Sequence, residues 1–67
     1  MVIGNDNKYY GETNSKKEPH GYGCCLYTNG TYYEGEWDNG VRSGKGGILF
    51  ASSDMYVGDF LNNKKNG

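Results

Sequence analysis

The chain has little of what large cores and catalytic sites are usually built from. Of its 67 residues, 34% are hydrophobic, one is proline and one is histidine, and the net charge is −1. A charge this close to zero argues against attachment to nucleic acid by bulk attraction, so no nucleic-acid partner is expected. No apolar run is long enough to predict a membrane-spanning helix. The length leaves room for one domain at most.

Cysteine and histidine are too scarce for a metal centre or a catalytic triad. Cys24 and Cys25 are neighbours, so on a strand they point to opposite faces and a bond between them would be strained. No further cysteine exists to complete a zinc site or a disulfide framework. We therefore expect two reduced, packed thiols, no metal and no cofactor. His20 is interpreted as a polar turn residue, because no nucleophile and base can be assembled around it.

Glycine and tyrosine, in contrast, are abundant and recur in phase. Tyr9-Tyr10-Gly11 returns as Tyr33-Glu34-Gly35 and as Tyr56-Val57-Gly58. A second mark, Gly21-Tyr22-Gly23, returns as Gly44-Lys45-Gly46, and Gly67 falls where the next one would begin. Both marks keep a period of roughly 23 residues, which is typical of stacked supersecondary units.

The central repeat reads as a hairpin. Residues 31–37 form the first strand, with Tyr33, Gly35 and Trp37 on one face. Asn39-Gly40 is a strong hairpin-turn signal. Glycine without Cβ leaves a trough in which a large ring can lie, so we expect an aromatic stack in which each ring covers a neighbour's glycines. The predicted structural set is Tyr9, Gly11, Gly21, Gly23, Tyr33, Gly35, Trp37, Gly44, Gly46, Tyr56, Gly58 and Phe60.

The run from Tyr33 to Gly46 resembles the repeat of the MORN (membrane occupation and recognition nexus) family, and the resemblance covers nearly all of residues 8–67. It implies an all-β fold, an elongated antiparallel meander of stacked hairpins in one single-layer sheet. We expect one repeat domain over 1–67, with units at 9–32, 33–55 and a truncated 56–67. Three residues depart from the family's repeat pattern. Thr13 occupies the repeat position that Trp37 has in the central unit, Ser53 the position of the turn glycine Gly30, and Asn63 the position of Gly40.

The third unit is predicted to be incomplete, as in a fragment of a longer repeat array. The strand Met55–Phe60 would then lack its hairpin partner and present an open edge. A homodimer through that edge, or through the aromatic face, is a further expectation.

The resemblance implies a non-catalytic module for protein–protein interaction or scaffolding. In relatives of this kind a catalytic domain, such as a lipid kinase or a SET-domain methyltransferase, would lie outside this chain. Amphipathic rings dominate interface energetics, so the predicted partner contacts are Tyr22, Tyr27, Tyr32 and Trp37. Glu12, Glu36 and Asp59, which follow the repeat glycines, are interpreted as a solvated face.

The alternative is a peripheral membrane module that binds anionic phospholipids such as phosphoinositides. Its contacts would be the basic residues of the hairpin loops, namely Lys16, Lys17, Arg42, Lys64 and Lys65. Lysine at hairpin tips also protects sheet edges from aggregation, and this simpler explanation is favoured. The expected location is the cytoplasm, with a membrane or the cytoskeleton as the second site.

Overall fold

The structure, a computed structural model, describes residues 1–4 and 6–66, and for residues 64–66 it describes the backbone alone. The elements within that range are β1 (Val2–Ile3), β2 (Asn7–Thr13), β3 (Pro19–Leu26), β4 (Tyr32–Asp38), β5 (Val41–Leu49), β6 (Met55–Leu61) and β7 (Lys64–Asn66). Gly67, the last glycine of the predicted second mark, lies outside the described residues.

All described strands belong to one open sheet. Each strand pairs antiparallel with the next in the chain, in the order β1 to β7. The molecule measures 33 × 24 × 15 Å, as expected for a single layer of backbone with side chains on both faces. The predicted all-β hairpin meander is confirmed, and the part of the chain described here contains no helix.

The hairpin turns have the backbone that their sequences predict. Asn39 and Gly40 both have positive φ, 48° and 94°, as a two-residue turn matching the twist of its strands requires. Asn62 and Asn63 form the equivalent turn between β6 and β7, with φ of 51° and 69°. Asparagine tolerates this region better than other side chains, so replacing the turn glycine by Asn63 leaves the hairpin intact.

The β6 edge is less open than the sequence suggested. The expectation that Met55–Phe60 lacks a hairpin partner is wrong for its last residues, because β7 pairs Asn66 with Asp59 and Lys65 with Phe60. The Asn62-Asn63 turn brings the chain back at once and makes this short pairing available. Among the described residues, the stretch from Met55 to Gly58 has no strand on its far side.

One residue expected in a turn belongs to β3 instead. His20 was interpreted as a turn residue, but it lies in the strand, directly after Pro19, which is buried. The next hairpin docks against them and explains the difference. The backbone N–H of Gly40 donates to the Pro19 carbonyl at 2.8 Å, and the N–H of Asn39 donates to His20 Nδ1 at 3.1 Å.

A row of glycines crosses five strands in register. Its members, paired one to the next, are Gly11, Gly23, Gly35, Gly46 and Gly58. The rings of Tyr9 and Tyr33 lie over this row, and a Cβ at Gly23 or Gly46 would overlap their hydroxyls. Each hydroxyl then donates to a backbone carbonyl three residues on, Tyr9 to Glu12 at 2.5 Å and Tyr33 to Glu36 at 2.8 Å. The row is therefore a Cβ-free trough that accepts the rings.

The rings over the trough form a continuous edge-to-face chain. Tyr9 meets Trp37 at 5.4 Å between ring centroids, Trp37 meets Tyr33 at 5.1 Å, Tyr33 meets Phe60 at 5.0 Å and Phe60 meets Tyr56 at 5.4 Å. Such pairs stabilise beyond the area they bury. The buried apolar side chains of the described residues are Tyr9, Cys25, Tyr33, Trp37, Ile48 and Phe60. The predicted aromatic stack thus forms the core of this single-layer sheet.

Candidate functional site

The sheet has two unlike faces. The aromatic face carries the stacked rings, including Tyr33 and Trp37. The opposite side, here called the outer face, carries side chains that alternate with the buried ones along β2 to β6. Its large apolar members are between 39% and 73% exposed, and they are Tyr10, Tyr22, Leu26, Leu49, Met55, Val57 and Leu61.

A shallow groove runs over the outer face at Gly47. The register places Gly47 between Glu34 on β4 and Val57 on β6, and places Leu49 between Tyr32 and Met55 in the next row. Gly47 has no side chain, so the larger residues around it form walls above an open floor. The groove has a volume of about 580 Å³, which is enough for one or two side chains of a partner.

One end of the groove is organised by a carboxylate held between two tyrosines. The Tyr22 hydroxyl donates to Glu34 Oε2 at 3.0 Å, and the Tyr32 hydroxyl donates to Glu34 Oε1 at 3.1 Å. The bond to Glu34 raises the pKa of Tyr22, because a phenolate would lose the bond and be repelled. Hydrogen bonding with Cys24, burial and the bond to Glu34 raise the pKa of Tyr32. Both hydroxyls therefore remain donors at neutral pH.

The other charges at the groove neutralise each other. Lys45 Nζ lies 2.9 Å from Asp59 Oδ1, and this bond raises the pKa of Lys45. Within the described part of the chain, no cation lies within ion-pair distance of Glu34. The groove therefore has one uncompensated negative charge.

Two of the carboxylates interpreted as a solvated face, Glu12 and Glu36, have a structural partner that sequence reasoning missed. Glu36 Oε1 accepts from the backbone N–H of Lys45 at 2.5 Å, and Glu12 Oε1 accepts from that of Tyr22 at 2.7 Å. Gly44 makes this possible, because its φ of 89° turns the chain and a Cβ there would overlap the Glu36 carboxylate. The signal was present in the sequence, since the glutamate and the glycine recur together in both repeats.

The four predicted partner contacts are divided between the faces. Tyr22 and Tyr32 lie on the outer face beside Glu34. Tyr27 is half-buried and packs against the aromatic core. The prediction that Trp37 is exposed to a partner is wrong, because its side chain is 5% exposed and its Nε1 donates to the Gly23 carbonyl at 3.1 Å. The burial fits the place of Trp37 in the predicted structural set, and it arises from edge-to-face packing against two tyrosines.

Arg42, predicted to contact lipid headgroups, is engaged with the aromatic face instead. Its guanidinium carbon lies 5.6 Å from the Tyr27 and Tyr33 ring centroids and 5.7 Å from that of Phe60. One guanidinium nitrogen donates to the Asn63 carbonyl at 2.8 Å. Stacking over rings stabilises such a cation, so Arg42 covers the core where a second layer would otherwise lie.

Two of the remaining predicted lipid contacts have side chains that the structure describes. Lys16 and Lys17 are exposed in the loop between β2 and β3. The side chains of Lys64 and Lys65 lie outside the described residues. Among the predicted lipid contacts whose side chains are described, Lys16 and Lys17 are thus the ones that remain exposed to solvent.

Residues 1–4 and 6–66 also bear on metal binding, membrane crossing and cysteine reactivity. They contain no cluster of three or more potential metal ligands. They also contain no helix that is long and apolar enough to cross a membrane. Cys25 is buried, and burial raises the pKa of its thiol, which makes it a packing residue and a poor nucleophile.

Comparison with known proteins identifies the repeat. A family model described as MORN repeat matches residues 15–32, 33–55 and 56–67. The chain therefore belongs to the MORN repeat family, whose repeats are non-catalytic.

A curated protein of Plasmodium falciparum (isolate 3D7) is similar to the chain. It is named inactive protein tyrosine kinase pTKL, and it is 37% identical over 59 residues, which are 88% of this chain and 4% of that protein. The chain thus spans a small part of this relative's length.

Proposed function

We propose that this chain is a non-catalytic module that binds another protein through the outer face of its sheet. The observation that carries the proposal is the exposure of large apolar side chains around the Gly47 groove. Met55 and Val57 are 66% and 73% exposed there. Contiguous apolar surface rimmed by polar groups marks interaction sites in soluble proteins.

The two faces differ in how far their apolar side chains are buried, and this difference supports the proposal. The aromatic face has its rings buried and its open side covered by Arg42. The outer face keeps comparable apolar side chains in contact with solvent. Because the stability of the sheet comes from the aromatic face, the outer face is available for a partner.

The shape of the groove also favours protein as the partner. Its walls present a tyrosine hydroxyl pair and aliphatic side chains around the open floor at Gly47. Protein interfaces are built from such aromatic and aliphatic anchors in shallow pockets with a polar rim.

A peptide selection tests the proposal. The chain is immobilised and offered a phage-displayed library of random dodecapeptides, and recovered peptides are retested as synthetic peptides by calorimetry. We expect binders that lose affinity for Gly47→Val, which fills the groove floor, and that bind Ser15→Val normally. Ser15 lies in the loop between β2 and β3, so this control adds comparable apolar bulk away from the groove. Failure to recover binders, or binders indifferent to Gly47→Val, would contradict the proposal.

A further inference from the structure

We propose that the groove recognises a partner segment with an arginine or lysine next to an aliphatic residue, the cation binding Glu34 between Tyr22 and Tyr32. This inference rests on the proposed function and names the partner's chemistry. Three features point to it. They are the charge of the groove, the unused acceptor capacity of Glu34 and the apolar surface beside it.

The first feature is charge. Glu34 has no cation within ion-pair distance among the described residues, whereas Lys45, which also lines the groove, is paired with Asp59. A partner that covered the groove without supplying a cation would bury an uncompensated carboxylate, which is costly. A basic side chain removes that cost and supplies charge-assisted hydrogen bonds.

The second feature is the geometry of the acceptors. An ionised carboxylate has about four lone-pair sites, and the hydroxyls of Tyr22 and Tyr32 use one on each oxygen. Both oxygens therefore retain a site for an external donor. The two hydroxyls also fix the carboxylate orientation before a partner arrives, so less rotamer freedom is lost on binding.

The third feature is the surface next to the carboxylate. Across β4 and β5, Glu34 pairs with Gly47, and beyond it lies Val57. The long aliphatic stem of arginine or lysine can lie on such a surface while its charged end reaches a carboxylate. The next row, Leu49 and Met55, receives the partner's adjacent aliphatic side chain.

The test uses the dodecapeptides selected on the intact chain. We expect arginine or lysine to be enriched at one position of the binders, next to an aliphatic residue. Replacing that arginine by citrulline, which keeps its shape and removes its charge, should weaken binding about tenfold or more. Glu34→Gln should weaken binding of the arginine peptide to the same degree and leave the citrulline peptide unaffected.

Controls separate this inference from the proposed function. Asp6→Asn removes the same charge in the turn before β2 and should bind the arginine peptide normally. Circular dichroism checks that Glu34→Gln remains folded. Peptides that lose affinity for Gly47→Val but contain no basic residue would overturn the inference and leave the proposed function standing. Recovery of no binders would overturn both.

Discussion

The ring of Tyr33 lies against Gly46 of the neighbouring strand, so closely that a Cβ at Gly46 would overlap the Tyr33 hydroxyl. The same hydroxyl donates to the Glu36 carbonyl at 2.8 Å, which holds the ring in place. The contact explains why the repeat needs glycine at this position. It also shows how a sheet without a second layer buries a tyrosine fully.

The first prediction concerns this contact. Gly46→Ala should lower the free energy of unfolding by about 1–3 kcal/mol, as overpacking does, because the ring is held by its hydrogen bond and by Trp37 and Phe60. The matched control is Gly47→Ala, whose added Cβ would lie 3.5 Å from Val57 Cγ2, an ordinary contact. Urea unfolding should show the control unchanged or stabilised by up to about 1 kcal/mol. Equal urea midpoints for Gly46→Ala and Gly47→Ala would contradict the conclusion that the Tyr33 ring occupies space left free by the missing Cβ of Gly46.

The second prediction concerns Glu36 and Gly44. Gly44→Ala should destabilise the chain, because alanine is strained at a φ of 89° and its Cβ would overlap the Glu36 carboxylate. In a Glu36→Ala background the steric part of the loss disappears, while the backbone strain of about 1–2 kcal/mol remains. A double-mutant cycle followed by urea unfolding measures the difference. Strictly additive losses would show that the carboxylate does not occupy this site.

The third prediction concerns Arg42. Arg42→Lys keeps the charge but removes the planar group that lies over three rings and donates to Asn63, so it should destabilise by about 1 kcal/mol. Lys16→Arg is the control, because Lys16 is exposed in a loop, and its melting temperature should not change. An Arg42→Lys variant as stable as the parent chain would indicate that the guanidinium is not part of the core.

The fourth prediction concerns alkaline pH. Burial raises the pKa of Tyr33 to about 12, from an ordinary value near 10. The unfolded chain therefore loses this proton first, and the stability that the protonated ring provides is complete below pH 10 and lost as pH rises towards 12. Melting temperatures should fall across this window, with tyrosinate absorbance marking the titration. The fall should shrink in Tyr33→Phe and persist in Tyr10→Phe, whose ring lies on the outer face. A melting temperature of the parent chain that does not change between pH 10 and 12 would contradict the burial of Tyr33.

The fifth prediction addresses the lipid alternative. Vesicles containing phosphoinositides should not carry the chain in a flotation assay, because Arg42 is engaged with rings and each lysine of the hairpin loops provides only about 1 kcal/mol near an anionic surface. Flotation at low salt that is lost in high salt and in the double variant Lys16→Glu, Lys17→Glu would contradict this expectation and favour the membrane module.

Local sequence rules were sufficient for much of the fold. The alternation around Tyr33 placed the rings on one face, and Asn39-Gly40 located the central hairpin, since both signals act over a few residues. The alternation also placed Trp37 in the aromatic stack, but the position of Arg42 could not be derived in this way. It depends on residues of another strand and turn, namely Phe60 and Asn63, whose proximity to Arg42 arises only when the sheet assembles.

The candidate site was predictable only in part for the same reason. Tyr22 and Tyr32 were selected as amphipathic rings, and the structure places both on the outer face. Glu34 was not selected, because its position between their hydroxyls requires the register of β3 against β4. The groove likewise depends on Gly47, which lies outside both repeating marks of the sequence and so gave no signal.

The aromatic face stabilises the sheet, and we propose that the outer face binds a partner. The neighbouring residues Gly46 and Gly47 test both parts of this statement most directly, because they lie on opposite faces of the same strand. Urea unfolding and calorimetry with a selected dodecapeptide would be applied to Gly46→Ala and to Gly47→Val. Gly46→Ala should lose stability but bind normally when folded, and Gly47→Val should stay stable but lose binding. The reverse pattern, or loss of both properties in both variants, would contradict it.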